Sequence, residues 1–327
     1  MIITKTPYRI SFFGGGSDYP DWFNNFTGQV LSTTINKHIY ITCRFLPKFF
    51  KHNYRIVWSK IENVKNLNEI QHESVKGLLK FYKINQGVEI HYDGDLPARS
   101  GMGSSSCFSV GLMKAINTLN GKKISSMELA KKAIFFEQKI MKETVGSQDQ
   151  VSASIGGFNK IVFSKKNIKI KKIQNIKNIK KLERNLLLIY TGINRTANKI
   201  ASAYASKLSS TKKEYITKIC KHVSEGEKLL NSGKVDEFGR LLNDAWYLKK
   251  KLSKSITNSK IDQLYNLALR NGALGGKLLG AGGGGFLLLY MHPKFRKKFL
   301  KNNKKLINVP FNFTNEGAQV IFKDLKR

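Results

Sequence analysis

The stretch LPARSGMGSSSC, residues 96–107, places two glycines and four serines directly ahead of a predicted helix. Gly101 and Gly103 allow backbone angles at which successive N–H groups turn inward, and a helix start behind them adds partial positive charge. Such a loop would bind a phosphate group. A flexible turn followed by a serine-capped helix is the alternative, and the stretch alone leaves both open. It contains neither GxxxxGK[ST] nor GxGxxG, which excludes a Walker loop and a Rossmann fingerprint.

The stretch PYRISFFGGGSDYPDW, residues 7–22, joins a strand-like run to three glycines. A glycine loop lets a ligand approach the backbone closely, and the nearby aspartates offer groups that bind the hydroxyls of a polyol. Arg9 is a permanent cation that could contact a phosphate or hold a carboxylate. A glycine turn closed by the side chain of Asp18 is the alternative interpretation.

The stretch EQKIMKETVGSQDQVSASIGG, residues 137–157, places Asp149 between two glutamines, after a predicted helix break at Gly146. An aspartate can accept a proton from a hydroxyl, and Glu137, on the preceding helix, could hold Mg²⁺. Ordinary surface carboxylates are the alternative.

A fourth stretch, KLLGAGGGGF, residues 277–286, contains four consecutive glycines, which require unusual backbone angles or room for a neighbour. Contact with an anion and tight packing against another loop are both compatible with it.

The composition indicates a folded protein, with 41% hydrophobic residues in a chain of 327, enough for two ordinary domains or one large one. No apolar run predicts a transmembrane helix, and the N-terminus lacks a signal-peptide pattern. The three cysteines are dispersed, which favours a reduced, cytoplasmic setting without a zinc site. The net charge of +35 could indicate a nucleic-acid binder, but the lysines are spread along the whole chain. We therefore favour compositional bias with an anionic small-molecule substrate, and expect no nucleic-acid or membrane partner.

The periodicity of the chain predicts mixed helices and strands. The pattern predicts one or two strands over residues 30–45, and one strand each over 54–58 and 87–97. It predicts helices over 72–84 and 107–121, and Ser125 with Glu128 forms a capping box at a further helix start. The lysine-rich residues 164–181 predict an edge strand or an exposed connector. Residues 184–192 predict a buried strand, 275–291 two strands around the glycine run, and a last helix with the strand GAQVIF closes a second α+β unit.

These four stretches, in their order along the chain, resemble the motifs of the GHMP kinase family. PARSGMGSSS is similar to the family pattern P-x-x-x-G-L-G-S-S-[AS], with Met102 in place of the usual leucine. KLLGAGGGGF resembles the C-terminal glycine motif, and GSQDQ resembles the galactokinase stretch that carries the catalytic aspartate. The resemblance extends from Pro7 to Phe286. It implies an α+β fold of two domains: an N-terminal domain of the ribosomal protein S5 domain 2 type over residues 1–180, and a ferredoxin-like α+β domain over 181–327.

The resemblance also implies a role for each candidate residue, with ATP and Mg²⁺ as cofactors. Asp149 would orient and deprotonate the acceptor hydroxyl, and Arg9 would neutralise that aspartate and the transferring phosphoryl group. Ser105 and Glu137 would hold Mg²⁺. The expected ATP-binding residues are Pro97, Gly101, Met102, Gly103, Ser104, Ser105 and Ser106. The expected substrate-binding residues are Gly14, Gly15, Gly16, Ser17, Asp18, Gly282 and Gly283.

The N-terminal motif distinguishes branches of the family. Gly15 and Gly16 stand where galactokinases usually carry Glu-His, which favours the branch that resembles kinases of D-glycero-D-manno-heptose 7-phosphate. The implied reaction transfers the γ-phosphoryl group of ATP to the anomeric O1 and gives the 1,7-bisphosphate, a precursor of nucleotide-activated heptose for surface polysaccharide. A kinase of an unphosphorylated, fucose-like sugar and a non-catalytic sugar- or nucleic-acid-binding protein remain alternatives. Candidates for the 7-phosphate pocket are Lys5, Arg99, Arg195 and Lys277, and either a monomer or a homodimer is compatible with the sequence.

Overall fold

The computed structural model describes residues 1–98, 100–193 and 197–324. The strands are β1 (Ile2–Phe13), β2 (Gly28–Phe45), β3 (Tyr54–Val57), β4 (Ile61–Val64), β5 (Val88–Gly94), β6 (Asn159–Phe163), β7 (Ile168–Lys172), β8 (Leu186–Tyr190), β9 (Ala273–Leu278), β10 (Phe286–Met291), β11 (Ile307–Asn308), β12 (Phe313–Thr314) and β13 (Gln319–Lys323). The helices are α1 (Pro20–Phe23), α2 (Glu73–Phe81), α3 (Ser104–Leu119), α4 (Ser126–Phe135), α5 (Gln148–Ile155), α6 (Ile176–Arg184), α7 (Ala197–Ser202), α8 (Lys213–Asn231), α9 (Val235–Lys250), α10 (Ser259–Arg270) and α11 (Pro293–Asn302).

The larger sheet is organised around β2, a continuous strand of 18 residues. It pairs antiparallel with β1, with β6 through residues 28–32, and with β5 through residues 39–45. The sequence left open whether this segment forms one strand or two, and the structure forms one. Its inward-facing side chains, among them Leu31, Ile39 and Ile41, are fully buried. The lysine-rich segment forms the edge strand β7, which pairs with β6, followed by α6.

The smaller sheet has the strand order β11-β8-β10-β9, and all its pairs are antiparallel. Along the chain, helices α7 to α10 connect β8 to β9, and α11 connects β10 to β11. This βαββαβ order is that of a ferredoxin-like unit, as expected for the second half of the chain.

The C-terminal end of the chain does not follow the sequence-based expectation. The GAQVIF strand was expected to close the second unit, but it forms β13 and pairs antiparallel with β1, while β12 pairs with β2. The two-residue strand β11 occupies the edge of the smaller sheet beside β8 instead. The backbone of β1 gains its second partner in this way, over residues 2–5. The expected boundary between residues 180 and 181 therefore does not separate the two sheets completely, because residues 313–323 belong to the first.

Aromatic packing joins the two halves of the molecule near the end of β1. Phe12 stacks on Phe158 with ring centroids 5.3 Å apart, and Phe13 packs edge-on against Phe238 of α9 at 4.9 Å. Helix α8 approaches this cluster at Gly226, where a Cβ would lie 2.5 Å from the ring of Phe13. Since these side chains belong to one continuous core, the end of β1 is held firmly between both halves of the chain.

Candidate active site

The loop ahead of α3 has the geometry of an inward-turned backbone. Gly101 and Gly103 adopt positive φ angles of 83° and 81°, which glycine alone accepts without steric cost. Gly103 is the N-cap of α3, so this helix start does not have the serine cap of the alternative interpretation. Met102 is fully buried and anchors the loop, and its carbonyl accepts a hydrogen bond of 3.4 Å from the backbone N–H of Arg9. The loop therefore opens onto the N-terminus of a 16-residue helix, where backbone N–H groups favour an anion.

The glycine run between β9 and β10 packs tightly against this loop. A Cβ at Gly285 would lie 2.0 Å from the carbonyl oxygen of Ser100, and a Cβ at Gly280 would lie 2.4 Å from the Cα of Gly101. Gly282 packs on Ile256, where a Cβ would come within 2.7 Å of Cα, and Gly283 donates a 2.6 Å backbone hydrogen bond to the Ile256 carbonyl. The sequence left open whether these glycines contact an anion or pack tightly against another loop, and tight packing accounts for the contacts observed.

Arg9 and Asp149 form a bidentate ion pair at the edge of the loop. Nε and Nη2 of Arg9 donate to the two carboxylate oxygens of Asp149 at 2.7 and 2.8 Å. The third guanidinium nitrogen donates to the carbonyl of Gly101 at 2.9 Å. Arg9 is almost fully buried, while the side chain of Asp149 keeps 23% of its surface exposed. One guanidinium thus fixes both the carboxylate and the glycine loop, and leaves the carboxylate reachable from solvent.

The side chain of Asp18 connects the loop after β1 to the start of α5. This loop contains the substrate-binding candidates Gly14, Gly15, Gly16 and Ser17. The Asp18 carboxylate accepts hydrogen bonds from the backbone N–H groups of Gly16 at 3.0 Å and Gln148 at 3.2 Å. It is fully buried, and a Cβ at Gly146 would lie 1.9 Å from one of its oxygens. Burial, with a smaller contribution from the charge of Asp149, raises the pKa of Asp18 to about 6. Asp18 therefore contacts the main chain of two loops, rather than facing open space where a sugar hydroxyl could reach it directly.

Glu137 lies beneath the start of α3, on a π-helical turn over residues 136–140 that follows α4. Its Oε2 accepts hydrogen bonds from Ser106 Oγ at 2.8 Å and from Gln150 Nε2 at 2.5 Å. Its Oε1 is buried and has no hydrogen-bond partner within the part of the chain that the structure describes. Burial, followed by the charge of Glu143, raises the pKa of Glu137 to about 7. The serine that donates to this carboxylate is Ser106, whereas Ser105, which was expected to hold Mg²⁺ with Glu137, is exposed.

Lys277 is the best-placed described cation among the four candidates for a second phosphate pocket. It is 6% exposed, and its Nζ donates a 2.8 Å hydrogen bond to the carbonyl of Phe12, just ahead of the three glycines that follow β1. Burial, with repulsion from Arg9 as a smaller cause, lowers the pKa of Lys277 to about 7. Lys5 instead pairs with Glu316 at 3.1 Å. Arg99 and Arg195 lie outside the described residues.

Gln148 and Gln150, which flank Asp149, are functional candidates that the sequence motifs did not nominate. Both are buried in the first turn of α5, and each has a side-chain oxygen without a hydrogen-bond partner among residues 1–98, 100–193 and 197–324. The letters QDQ could not reveal this, because the burial of the two amides depends on how α5 packs in the folded chain. Within the described residues, no group of three or more His, Cys, Asp or Glu side chains is arranged to hold a metal ion. No helix in that part of the chain is long and apolar enough to cross a membrane.

Comparison with known proteins identifies this architecture. Residues 68–157 match the GHMP kinases N terminal domain, and residues 227–303 match the GHMP kinases C terminal domain. The chain belongs to the GHMP kinase family, and is a phosphotransferase with an alcohol group as acceptor. This confirms the predicted family and its two-domain α+β fold. GHMP kinases use ATP as the phosphate donor.

Individual relatives narrow the resemblance within the family. The chain is 29% identical to the D-glycero-alpha-D-manno-heptose 7-phosphate kinase of Campylobacter jejuni, over 97% of this chain and 98% of that protein. It is 26% identical to a bifunctional fucokinase/GDP-fucose pyrophosphorylase of Arabidopsis thaliana, over 91% of this chain and 30% of that protein. The crystal structure of a D-glycero-D-manno-heptose 1-phosphate kinase from Bacteroides thetaiotaomicron has the same fold, with a TM-score of 0.81 and 23% identity over 99% of this chain and 100% of that one.

Proposed function

We propose that this kinase transfers the γ-phosphoryl group of ATP to the anomeric O1 of D-glycero-D-manno-heptose 7-phosphate. The observation that carries the proposal is the Arg9–Asp149 pair, which joins β1 and the first turn of α5 to the glycine loop ahead of α3. The similarity to the heptose 7-phosphate kinase of Campylobacter jejuni, over nearly the full length of both chains, supports the choice of acceptor.

Phosphoryl transfer requires positioning, neutralisation of charge and a group near the nucleophile. The backbone of Gly101, Gly103 and the first turn of α3 would bind the phosphates of ATP. Asp149, oriented by Arg9, would accept a hydrogen bond from the acceptor hydroxyl and then its proton. An anomeric hydroxyl is more acidic than an ordinary alcohol, so orientation of the nucleophile would be the larger part of this task. Arg9 would at the same time offset charge on the transferring group.

The residues beneath α3 fit a magnesium ion. Glu137 is a buried carboxylate with one oxygen lacking a hydrogen-bond partner among the described residues, an arrangement that a bound cation would satisfy. We propose that Glu137 and the serines of the first turn, Ser105 and Ser106, hold the ion together with the phosphates. The ion would supply neutralisation of the phosphate oxygens. Ser106 Oγ orients Glu137 in the structure, and the exposed Ser105 can turn its hydroxyl toward a bound nucleotide.

Lys277 supports an acceptor that carries an anionic group. It is a buried amine beside the loop that would bind the sugar, and an approaching phosphate would favour its protonated form. With a neutral sugar bound, Asp18 would be the only negative charge acting on this amine among the described residues. We therefore propose a phosphorylated heptose rather than a fucose-like sugar as the preferred acceptor.

A panel of acceptors tests this function. ADP release is measured with heptose 7-phosphate, mannose, fucose and galactose at matched ATP and Mg²⁺ concentrations. We expect heptose 7-phosphate to have the highest kcat/KM, and its advantage over neutral sugars to decrease when Lys277 is replaced by methionine. A higher kcat/KM for fucose or galactose would reject the heptose assignment and favour the alternative acceptor class.

A further inference from the structure

We propose that Gln148 is a specificity-determining residue, whose side-chain amide binds a hydroxyl of the acceptor sugar other than the one that is phosphorylated. This inference rests on the proposed function as a sugar kinase and adds a residue that the motifs did not assign.

The position of Gln148 follows from its two neighbours. It opens α5 directly ahead of Asp149, the residue proposed to act on the acceptor hydroxyl. Its backbone N–H is already used, because it donates to Asp18 at 3.2 Å. That bond fixes the first turn of α5 against the loop after β1, so the side chain of Gln148 has little freedom to move away.

The side chain itself faces the glycine loop. A Cβ at Gly15 would lie 3.8 Å from Nε2 of Gln148, an ordinary van der Waals distance that leaves the glycine backbone as the opposite wall. Apart from the neighbours of Gly15 in the chain, no other atom of the described residues lies within 4 Å of that Cβ position, so the space beside Gly15 and this amide is otherwise open.

The amide is also incomplete without a ligand. Gln148 is 9% exposed, and its Oε1 is buried with no hydrogen-bond partner among the described residues. A buried amide oxygen without a partner is costly, and native proteins retain one where a ligand or water completes it. A glutamine amide offers one acceptor and two donor hydrogens, which suit the donor and acceptor character of a sugar hydroxyl. Sites of this kind discriminate strongly against ligands that lack the hydroxyl, since the protein group is then left unpaired.

The variant Gln148→Met tests the assignment, because methionine keeps the length of the side chain and removes both polar atoms. We expect the KM for the sugar to increase about tenfold, the loss of one neutral hydrogen bond. The KM for ATP is expected to stay within about twofold, and the thermal midpoint should not fall, since a buried unpaired amide has been removed. The matched control is Gln138→Met, in the same region. Its Nε2 donates to Val145 and Ser147, so this variant should lower the thermal midpoint and leave the sugar KM within about twofold.

A series of acceptors that each lack one hydroxyl completes the experiment. Wild-type protein should lose about tenfold in kcat/KM with one of them, and Gln148→Met should not discriminate that analogue from the parent sugar. An unchanged sugar KM in the variant, or equal discrimination by both proteins against every analogue, would overturn the assignment. Wild-type protein that phosphorylates no sugar would instead reject the proposed function, and the assignment with it, before any variant is compared.

Discussion

Asp149 is held in place by Arg9, a residue 140 positions earlier in the chain. This pair links the proposed catalytic carboxylate to the proposed phosphate loop, because Arg9 also binds Gly101. Arg9 comes from β1 and Asp149 from the first turn of α5, and their bidentate contact leaves no freedom for either group to rotate. The sequence could nominate both residues, from their motifs and from the family resemblance. It could not show that the arginine also binds the carbonyl of Gly101, since that contact depends on the tertiary fold.

Replacement of Asp149 by asparagine should separate catalysis from binding. Asparagine preserves the shape of the side chain but neither carries a charge nor accepts a proton, so we expect kcat to decrease by about 10²–10⁴-fold. The KM for ATP should change little, because the proposed nucleotide contacts come from the glycine loop. Steady-state kinetics with a thermal-unfolding control measure this. A kcat close to that of the wild type would remove Asp149 from the catalytic role.

Glu137 makes the pH dependence of stability testable. Its pKa is raised to about 7, so between its unfolded pKa and pH 7 the native state binds more protons than the unfolded state. The stability that this group contributes is therefore present at low pH and is lost as the pH rises through 7. Wild-type protein should lose about 2–3 kcal/mol more than Glu137→Gln between pH 5 and pH 8.

Urea unfolding of both proteins at the two pH values, without divalent cations, gives this difference directly. Addition of Mg²⁺ with ADP at pH 8 should restore stability to the wild type more than to the variant, since the cation would satisfy the buried carboxylate. Parallel pH profiles for the two proteins would contradict a carboxylate whose pKa is raised by burial at this position.

At the scale of elements, the start of α3 and the glycine run form one unit. The sequence predicted the helix from its apolar periodicity, and placed the two strands around the glycines correctly, because both signals are local. The family resemblance nominated Ser105 to hold Mg²⁺ together with Glu137, but it could not show that Ser106 donates directly to that carboxylate. Adjacent residues on a helix point about 100° apart, so only the packing of α3 on the π-helical turn decides which serine reaches the carboxylate.

Two glycines at opposite ends of α3 provide a matched test of the proposed phosphate site. Gly103 and Gly121 both have positive φ, of 81° and 71°, so alanine strains the backbone similarly at each. A Cβ at Gly103 would lie 3.1 Å from Oδ2 of Asp149, whereas a Cβ at Gly121 meets nothing within 4 Å. Gly103→Ala should therefore reduce kcat/KM for ATP by about 10²-fold, and Gly121→Ala should only lower the thermal midpoint. Equal kinetic effects of the two variants would contradict the assignment of this loop.

At the scale of the whole molecule, the site exists because the two sheets share a core at the end of β1. Alternating helix and strand signals predicted both α+β halves, but not that β12 and β13 return to the first sheet. Strand pairing between residues more than 300 positions apart depends on which edge is left open after the rest has folded, and local patterns carry no information about it. The net charge of +35 is in keeping with the proposed phosphorylated ligands, whose encounter a positive field accelerates.

The position of the transferred phosphate is the most direct test of the central claim. The protein is incubated with ATP, Mg²⁺ and D-glycero-D-manno-heptose 7-phosphate, and the product is examined by ³¹P and ¹H NMR. We predict a second phosphorus signal coupled to the anomeric proton, with the signal of the 7-phosphate retained, and no such product with Asp149→Asn. Phosphate on any other carbon, or no transfer to this sugar while fucose is phosphorylated, would contradict the account.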